Sequence, residues 1–266
     1  MLMTKALLLA AGLGKRLQPL THIWPKCLMP IHSHPLLEHW LCQLQQTRVT
    51  DVLINVHHHR SHLERFLDRQ HFNSWVNHSF EPTLLGTAGT LRRHATRFSG
   101  HQIILIHADN WCLADINAFL EYHDCARPPG TVMTMMTFRT DEPKSCGIVQ
   151  LDNNKIVTDF VEKSSLAIGN LANAAIYVLE PSVLDEIMTN RSLTDFSSEV
   201  IPLFLGRIAT WENTGIHRDI GSIEQLLLAQ NDPRPKLDGY VNDEWQTYFE
   251  NHPIHEAINQ VSLGLS

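Results

Sequence analysis

A chain of 266 residues, 43% of them hydrophobic, is long enough to bury a substantial core, as one large domain or as a core domain with a smaller lobe. Its formal charge of −7 excludes a nucleic-acid face fed by general attraction, so any phosphate site has to be local. Five cysteines, Cys27, Cys42, Cys112, Cys125 and Cys146, form no CxxC pair, which favours reduced thiols in the cytosol over a disulfide framework or a structural zinc site.

The opening stretch MLMTKALLLAAG carries an apolar run too short to span a bilayer. It leads into a glycine turn rather than a small-residue cleavage site, so it reads as a buried first strand with no leader and no membrane partner. Near-continuous apolar runs at 6–10, 52–56 and 103–107 have the pattern of strands covered on both faces. Amphipathic stretches at 35–46, 62–70 and 89–98 alternate with them as helices. Right-handed crossovers of this kind build a mostly parallel sheet whose ligands collect beyond the carboxyl ends of its strands, where the glycine turn lies. The adjacent His57, His58 and His59 follow the second of these strands and read as a solvated turn rather than a metal site.

The second half is richer in strands, at 131–138, 147–152, 155–162 and 173–179, with a tight reversal at Asn153-Asn154, and these read as mixed or antiparallel additions to the sheet. A helix is expected over 222–230, capped by Ser222, followed by a proline-bearing polar stretch that wraps the surface. Asp115 reads as an exposed helix residue. The expected class is therefore α/β: a Rossmann-like mixed, mostly parallel central sheet flanked by helices, with a β-rich second portion. The expected organisation is a single domain over 1–232, with halves 1–125 and 126–232, and a C-terminal extension over 233–266.

The turn LLLAAGLGKRLQPL lacks the third glycine of a dinucleotide fingerprint, since Leu17 stands in its place, and GKR at 14–16 lacks the spacing and hydroxyl of a Walker A loop. What remains is a close-approach turn whose backbone amides, with Lys15 and Arg16, are able to face a polyphosphate, and Lys26 follows in a proline-flanked segment. A plain strand-to-loop turn with basic residues in solvent is the other reading, and spacing alone leaves both open.

The stretch LLLAAGLGKRLQPLTHIWPKCLMPI resembles the signature of sugar-1-phosphate nucleotidylyltransferases, G-x-G-[TS]-R-x-x-P-L-T followed by P-K-P-L-x-P. Arg16, Pro19, Leu20, Thr21, Pro25, Lys26 and Pro30 match; Lys15 stands where Thr or Ser is commoner and Cys27 where Pro is commoner. Family-like elements continue to about residue 225. The resemblance implies a nucleotide-diphospho-sugar transferase (GT-A-like) fold, with Leu9, Ala11, Gly12, Gly14, Lys15 and Arg16 at the nucleotide. It also implies that the LGTAG segment, Gly86, Thr87, Ala88 and Gly89, lies against the base. Glu81 takes the position of a base-reading side chain. A carboxylate accepts hydrogen bonds only, which suits the adjacent N1–H and N2–H donors of guanine and favours GTP.

Asp109, at the end of a strand, and Asp219, before a Gly-Ser turn, match the family's Mg²⁺-binding aspartates, although sequence cannot bring them together. Asn110, Gly147, Glu162, Lys163 and Asn173 match sugar-phosphate positions; Ser164 replaces a common proline beside them. The implied partners are a nucleoside triphosphate and a sugar 1-phosphate, manno-configured hexose or heptose favoured, with Mg²⁺ as cofactor. Arg16, Lys26 and Asp109 are the implied catalytic residues, in the cytoplasm, in nucleotide-sugar and polysaccharide synthesis. Oligomeric state stays open, a homodimer included. The alternatives are a UTP or dTTP enzyme, a CTP:phosphocholine-type cytidylyltransferase and a non-catalytic nucleotide-sugar-binding subunit. No hexapeptide-repeat tail follows, so no second, acyltransferase activity is expected.

Overall fold

The computed structural model describes residues 2–163 and 168–263; Ser164 lies outside them. The fold is mixed α/β, and the chain divides into two compact units assembled from interleaved stretches. One contains Met1–Leu7, Leu85–Ile106 and Ala114–Gly215; the other contains Leu8–Leu84, His107–Leu113 and Ile216–Ser266.

The first unit is organised around the long strand Leu171–Leu179. It pairs antiparallel with Gln102–His107 (Ile176 opposite Ile106), with Met133–Arg139 (Asn173 opposite Thr137), and with Gly147–Leu151 (Ala172 opposite Ile148). Val157–Glu162 continues antiparallel beyond Gly147–Leu151, so that Glu162 faces Gly147 across the ladder. Ile208–Glu212 pairs parallel with Met133–Arg139. The antiparallel additions expected in the second half are these strands. The reversal at Asn153-Asn154 is tied by the Asp152 carboxylate, which accepts from the backbone N–H groups of Asn154 (2.8 Å) and Ile156 (2.9 Å).

In the second unit, Val52–Val56 and Val76–Phe80 pair in parallel across the helix Arg60–Leu67, the crossover read from the sequence. All five residues of Val52–Val56 are buried, which explains the apolar run. Two short strands, Asn110–Cys112 and His217–Asp219, pair antiparallel with Asp219 opposite Asn110. Trp24, Trp40, Trp111, Phe66, Phe72 and Phe249 fill the core of this unit, each burial of a large side chain contributing about 2 kcal/mol.

Several local expectations need correction. The helix expected over 89–98 is two, Thr87–Arg93 and Ala95–Phe98, because His94 leaves helical geometry at ψ 16°. Asp115 is an N-cap rather than a helix residue; its carboxylate accepts from the Ala118 amide at 2.9 Å. His57, His58 and His59 are half-buried and bonded rather than solvated: His57 meets the Glu81 carbonyl at 2.8 Å, and His58 and His59 both meet that of Thr21, at 3.1 and 2.9 Å. The polar stretch after residue 232 ends in helices Glu244–Glu250 and Ile254–Leu263, which bury Trp245, Phe249, Ile254 and Ile258. Arg69 ties this segment down, bonding Asp243 at 2.8 Å, Glu38 at 3.1 Å and the Val241 carbonyl at 2.9 Å. Ser222 caps Ile223–Asn231 as read.

Candidate active site

The glycine turn leaves the first strand, Thr4–Leu9, at its carboxyl end. Gly14 has φ +59°, and a Cβ there would stand 2.8 Å from Thr21 Cγ2 and 3.2 Å from Lys26 Cβ, so both conformation and space demand glycine. The Thr21 hydroxyl closes the turn by donating to the Gly14 carbonyl at 2.9 Å. A single-turn 3₁₀ segment, Lys15–Leu17, follows, with Leu17 buried as its anchor, Arg16 exposed and Lys15 exposed as well.

Lys26 lies in a second 3₁₀ turn, Lys26–Leu28, and is buried apart from 6% of its side chain. Its ammonium donates to Asp109 Oδ2 and to Asp219 Oδ1, both at 2.8 Å. Arg16 Nη2 donates to the other oxygen of Asp219 at 2.9 Å. The result is an alternating chain of charge, Arg16–Asp219–Lys26–Asp109. The strand pair that sets Asp219 opposite Asn110 brings the two distant aspartates to one ammonium. Arg16 in turn packs against Gly221, where a Cβ would lie 2.6 Å from Nη2.

Burial alone would lower the Lys26 pKa, yet Asp109 and Asp219 together outweigh it and hold the ammonium above its ordinary value of 10.5. Burial likewise works against the Asp219 carboxylate, and Lys26 and then Arg16 overcome it, leaving its pKa at about 2. Both groups are therefore fully charged near neutrality. Asp109 and Asp219 offer hard oxygen donors that converge on one point. This fits a Mg²⁺ ion, which takes one or two carboxylates and completes its shell with water and phosphate oxygens. Among the described residues no three His, Cys, Asp or Glu side chains gather as a metal cage.

Upstream, the Ala10 and Ala11 amides do not point into the turn. Both donate to the Asn55 side-chain oxygen, at 2.7 and 3.3 Å, which removes Ala11 from the amides open to a phosphate; Leu9, 8% exposed, precedes them, and Gly12 is exposed. Asn55 also donates to Glu81 Oε1 at 3.1 Å, and Glu81 is 1% exposed.

In the first unit, the 86–89 turn enters the helix Thr87–Arg93 as read. The Ala88 amide donates to the Thr194 carbonyl at 2.9 Å, and Thr87 Oγ1 accepts from the Phe196 amide at 2.6 Å, so segment 194–196 fixes this turn; Gly89 lies inside the helix against Leu85. Glu162 and Gly147 face each other, and a Cβ on Gly147 would stand 2.6 Å from Glu162 Oε2 and from the Phe160 ring. Lys163 lies 3.6 Å from Glu162 and is 58% exposed. The Asn173 amide donates to the Tyr177 hydroxyl at 2.7 Å and accepts from the Ala175 amide at 2.9 Å, with Ala175 at φ +56°. Asn110, in the second unit, is buried beside Asp109.

The nucleotidyl transferase family model matches residues 5–234. The chain belongs to this family. It is 32% identical over 206 residues to a probable mannose-1-phosphate guanylyltransferase 2 from Oryza sativa subsp. japonica, covering 74% of this chain and 55% of that protein. It is 30% identical over 234 residues to the mannose-1-phosphate guanylyltransferase catalytic subunit beta of Drosophila melanogaster, covering 85% of this chain and 62% of that one. The chain thus spans little more than half the length of these relatives. A crystal structure of a putative glucose-1-phosphate thymidylyltransferase from Bacillus anthracis superposes with a TM-score of 0.78 at 22% identity, over 90% of this chain and 98% of that one. HddC from Yersinia pseudotuberculosis gives 0.72 at 22% identity, over 87% and 99%. These two share the fold, as the resemblance of the signature implied.

Sequence reading passed over Asn55, Gly221, Tyr177 and the 194–196 segment. Asn55 did carry a signal, as the one polar residue in the run VLINV. Gly221 sat beside a chosen aspartate. Thr194 and Phe196 carried none, because they act through the backbone. All five cysteines are free thiols, and burial pushes those of Cys27 and Cys42 up to about 12, which keeps them chemically quiet. Among the described residues no helix is long and apolar enough to cross a membrane.

Proposed function

We propose that this chain transfers a guanylyl group from GTP to a manno-configured sugar 1-phosphate, hexose or heptose, releasing pyrophosphate. The single observation that carries the reading is the Arg16–Asp219–Lys26–Asp109 chain, in which two cations wait on carboxylates that substrate phosphates can replace. The relatives named mannose-1-phosphate guanylyltransferases favour this donor and acceptor.

A phosphate oxygen of the sugar 1-phosphate attacks the α-phosphorus, one P–O bond forms, and the α–β anhydride bond breaks with its electron pair leaving on pyrophosphate. A phosphate monoester is already an anionic nucleophile, so alignment and charge neutralisation do the work and no strong general base is needed. Arg16 takes the β- and γ-phosphates and the leaving pyrophosphate, and Lys26 the α-phosphate and its developing charge. Lys26 leaves Asp109 and Asp219 to do so, and these are the carboxylates that would hold Mg²⁺. Mg²⁺ supplies Lewis-acid neutralisation of phosphate charge when bound. Glu81 accepts from the guanine N1–H and N2–H edge. In the first unit Gly147, Glu162, Lys163 and Asn173 serve the sugar phosphate, Glu162 accepting from hydroxyls and Lys163 offsetting charge. The cytoplasm is the setting that this reading implies.

The test is pyrophosphate release with Mg²⁺ across a grid of NTPs and sugar 1-phosphates, product masses recorded. Release with GTP and a manno-configured acceptor, with the mass of the GDP-sugar, is expected. Release with UTP or dTTP alone would replace the donor, and silence everywhere, with CTP and phosphocholine-type acceptors included, would leave only nucleotide-sugar binding.

A further inference from the structure

Asp232 ends the helix Ile223–Asn231, and its carboxylate serves two other segments of the second unit at once. Arg218 donates to it as a fork, Nε to Oδ2 at 2.6 Å and Nη2 to Oδ1 at 2.7 Å, and Trp111 donates its Nε1–H to the same Oδ2 at 3.0 Å. The Asp232 side chain is 8% exposed. Trp111 and Arg218 stand opposite each other in the strand pair Asn110–Cys112 and His217–Asp219. Directly opposed residues share a face and neighbours along a strand alternate, so the carboxylate grips the face of this ribbon turned away from Asn110 and Asp219.

A ribbon of three residues a side does not hold its register unaided. The strand Asn110–Cys112 is fixed from the helix Leu36–Gln45, where Trp40 Nε1 donates to the Asn110 carbonyl and Gln43 Nε2 to the Cys112 carbonyl, both at 2.9 Å. Asp232 ties the strand His217–Asp219 to it. The same ion pair closes segment 218–232 on itself, and that segment carries Asp219 and the Gly221 that packs against Arg16.

We propose that Asp232 is a positioning residue for the reaction: by holding Trp111 and Arg218 together it fixes the register of the ribbon, and with it the placing of Asp109, which precedes one strand, against Asp219, which ends the other. It acts through those two carboxylates from the far face of the ribbon. The proposal rests on the reading that Asp109 and Asp219 hold Mg²⁺. Asp232→Asn keeps the shape and replaces one acceptor oxygen by NH₂, which faces Arg218 Nη2 in one orientation and Arg218 Nε with Trp111 Nε1 in the other. Either way the clamp loosens with little change in volume.

The experiment measures the dissociation constant of GTP by calorimetry, with Mn²⁺ and with the metal removed by EDTA, in the wild type, Asp109→Asn and Asp232→Asn. The wild type should bind more tightly with Mn²⁺, and Asp109→Asn should lose that gain. In Asp232→Asn, binding with Mn²⁺ should weaken about tenfold, the scale on which groups that orient metal ligands act, while metal-free binding stays within about twofold. If Asp232→Asn does not fold, Arg218→Lys replaces it, since it keeps the charge and loses the fork, and its gain from Mn²⁺ must fall in the same way. Unchanged binding, or equal weakening with and without the metal, overturns the positioning role while leaving Asp109 at the metal. A wild type with no gain from Mn²⁺, or a gain that survives in Asp109→Asn, overturns the metal reading and the proposal with it.

Discussion

The two units hold their candidate groups in different ways. In the second, the chemistry resides in full charges already paired with one another: Arg16 on Asp219, and Lys26 on Asp219 and Asp109. In the first, the candidate groups are placed by shape and backbone: Gly147 leaves room for Glu162 and Phe160, Tyr177 orients Asn173, and segment 194–196 pins the 86–89 turn. On the proposed function, charges already paired with one another are ready to be exchanged for phosphate and metal. Hydroxyl recognition needs fixed distances, which close packing supplies. The charged half should thus answer to substitution in turnover, and the shape-built half in acceptor affinity.

The largest expected effect sharpens that contrast. Lys26→Met or Asp109→Asn should lower Mg²⁺-dependent pyrophosphate release by roughly two to three orders of magnitude with the far-ultraviolet circular dichroism unchanged, the scale seen when a preorganised charge is removed. Normal turnover in Asp109→Asn would take it out of the metal set.

A matched pair of glycine substitutions comes next. Gly221→Ala pushes a methyl to 2.6 Å from the Arg16 guanidinium and should raise KM for the nucleotide about tenfold. Gly147→Ala pushes one equally close to Glu162 and should raise KM for the sugar phosphate instead. The same KM moving in both variants would break the division of labour.

A smaller effect is expected with pH. His39, buried in the second unit, is lowered to about 3, first by burial and further by His34, His32 and Arg234, against the bond to the Ile31 carbonyl that raises it. It stays neutral in the fold while the unfolded chain protonates near 6.5, so stability falls as pH drops from 6.5 towards 3 and the loss levels off below that. The melting temperature of the wild type should fall relative to that of His39→Gln across this window as pH drops, since glutamine does not titrate. A constant gap would mean that His39 titrates normally.

The smallest effect is in the shape-built unit. Ala175 holds φ +56°, so Ala175→Gly should raise stability by up to about 1 kcal/mol in chemical denaturation, and any loss would show that the strain is absent or that the methyl packs.

Strands and helices whose periodicity follows from burial, such as Val52–Val56, Leu171–Leu179 and Ile223–Asn231, were legible in the amino acids alone. The glycine turn was legible too, because a glycine at positive φ and bracketing prolines are local requirements that neighbouring residues express, whereas spacing alone left its role open. Helix Glu244–Glu250 was masked by the polar, proline-bearing stretch before it, although Asp243 caps it through the Gln246 amide at 3.0 Å. That Asp109 and Asp219 share Lys26 was not legible in the amino acids alone, since a strand pair between distant segments brings them together. The turn of the Asn55 amide was likewise beyond the reach of sequence. Its partners come from separate segments, and a hydrogen bond between distant parts of a chain leaves no local pattern in either.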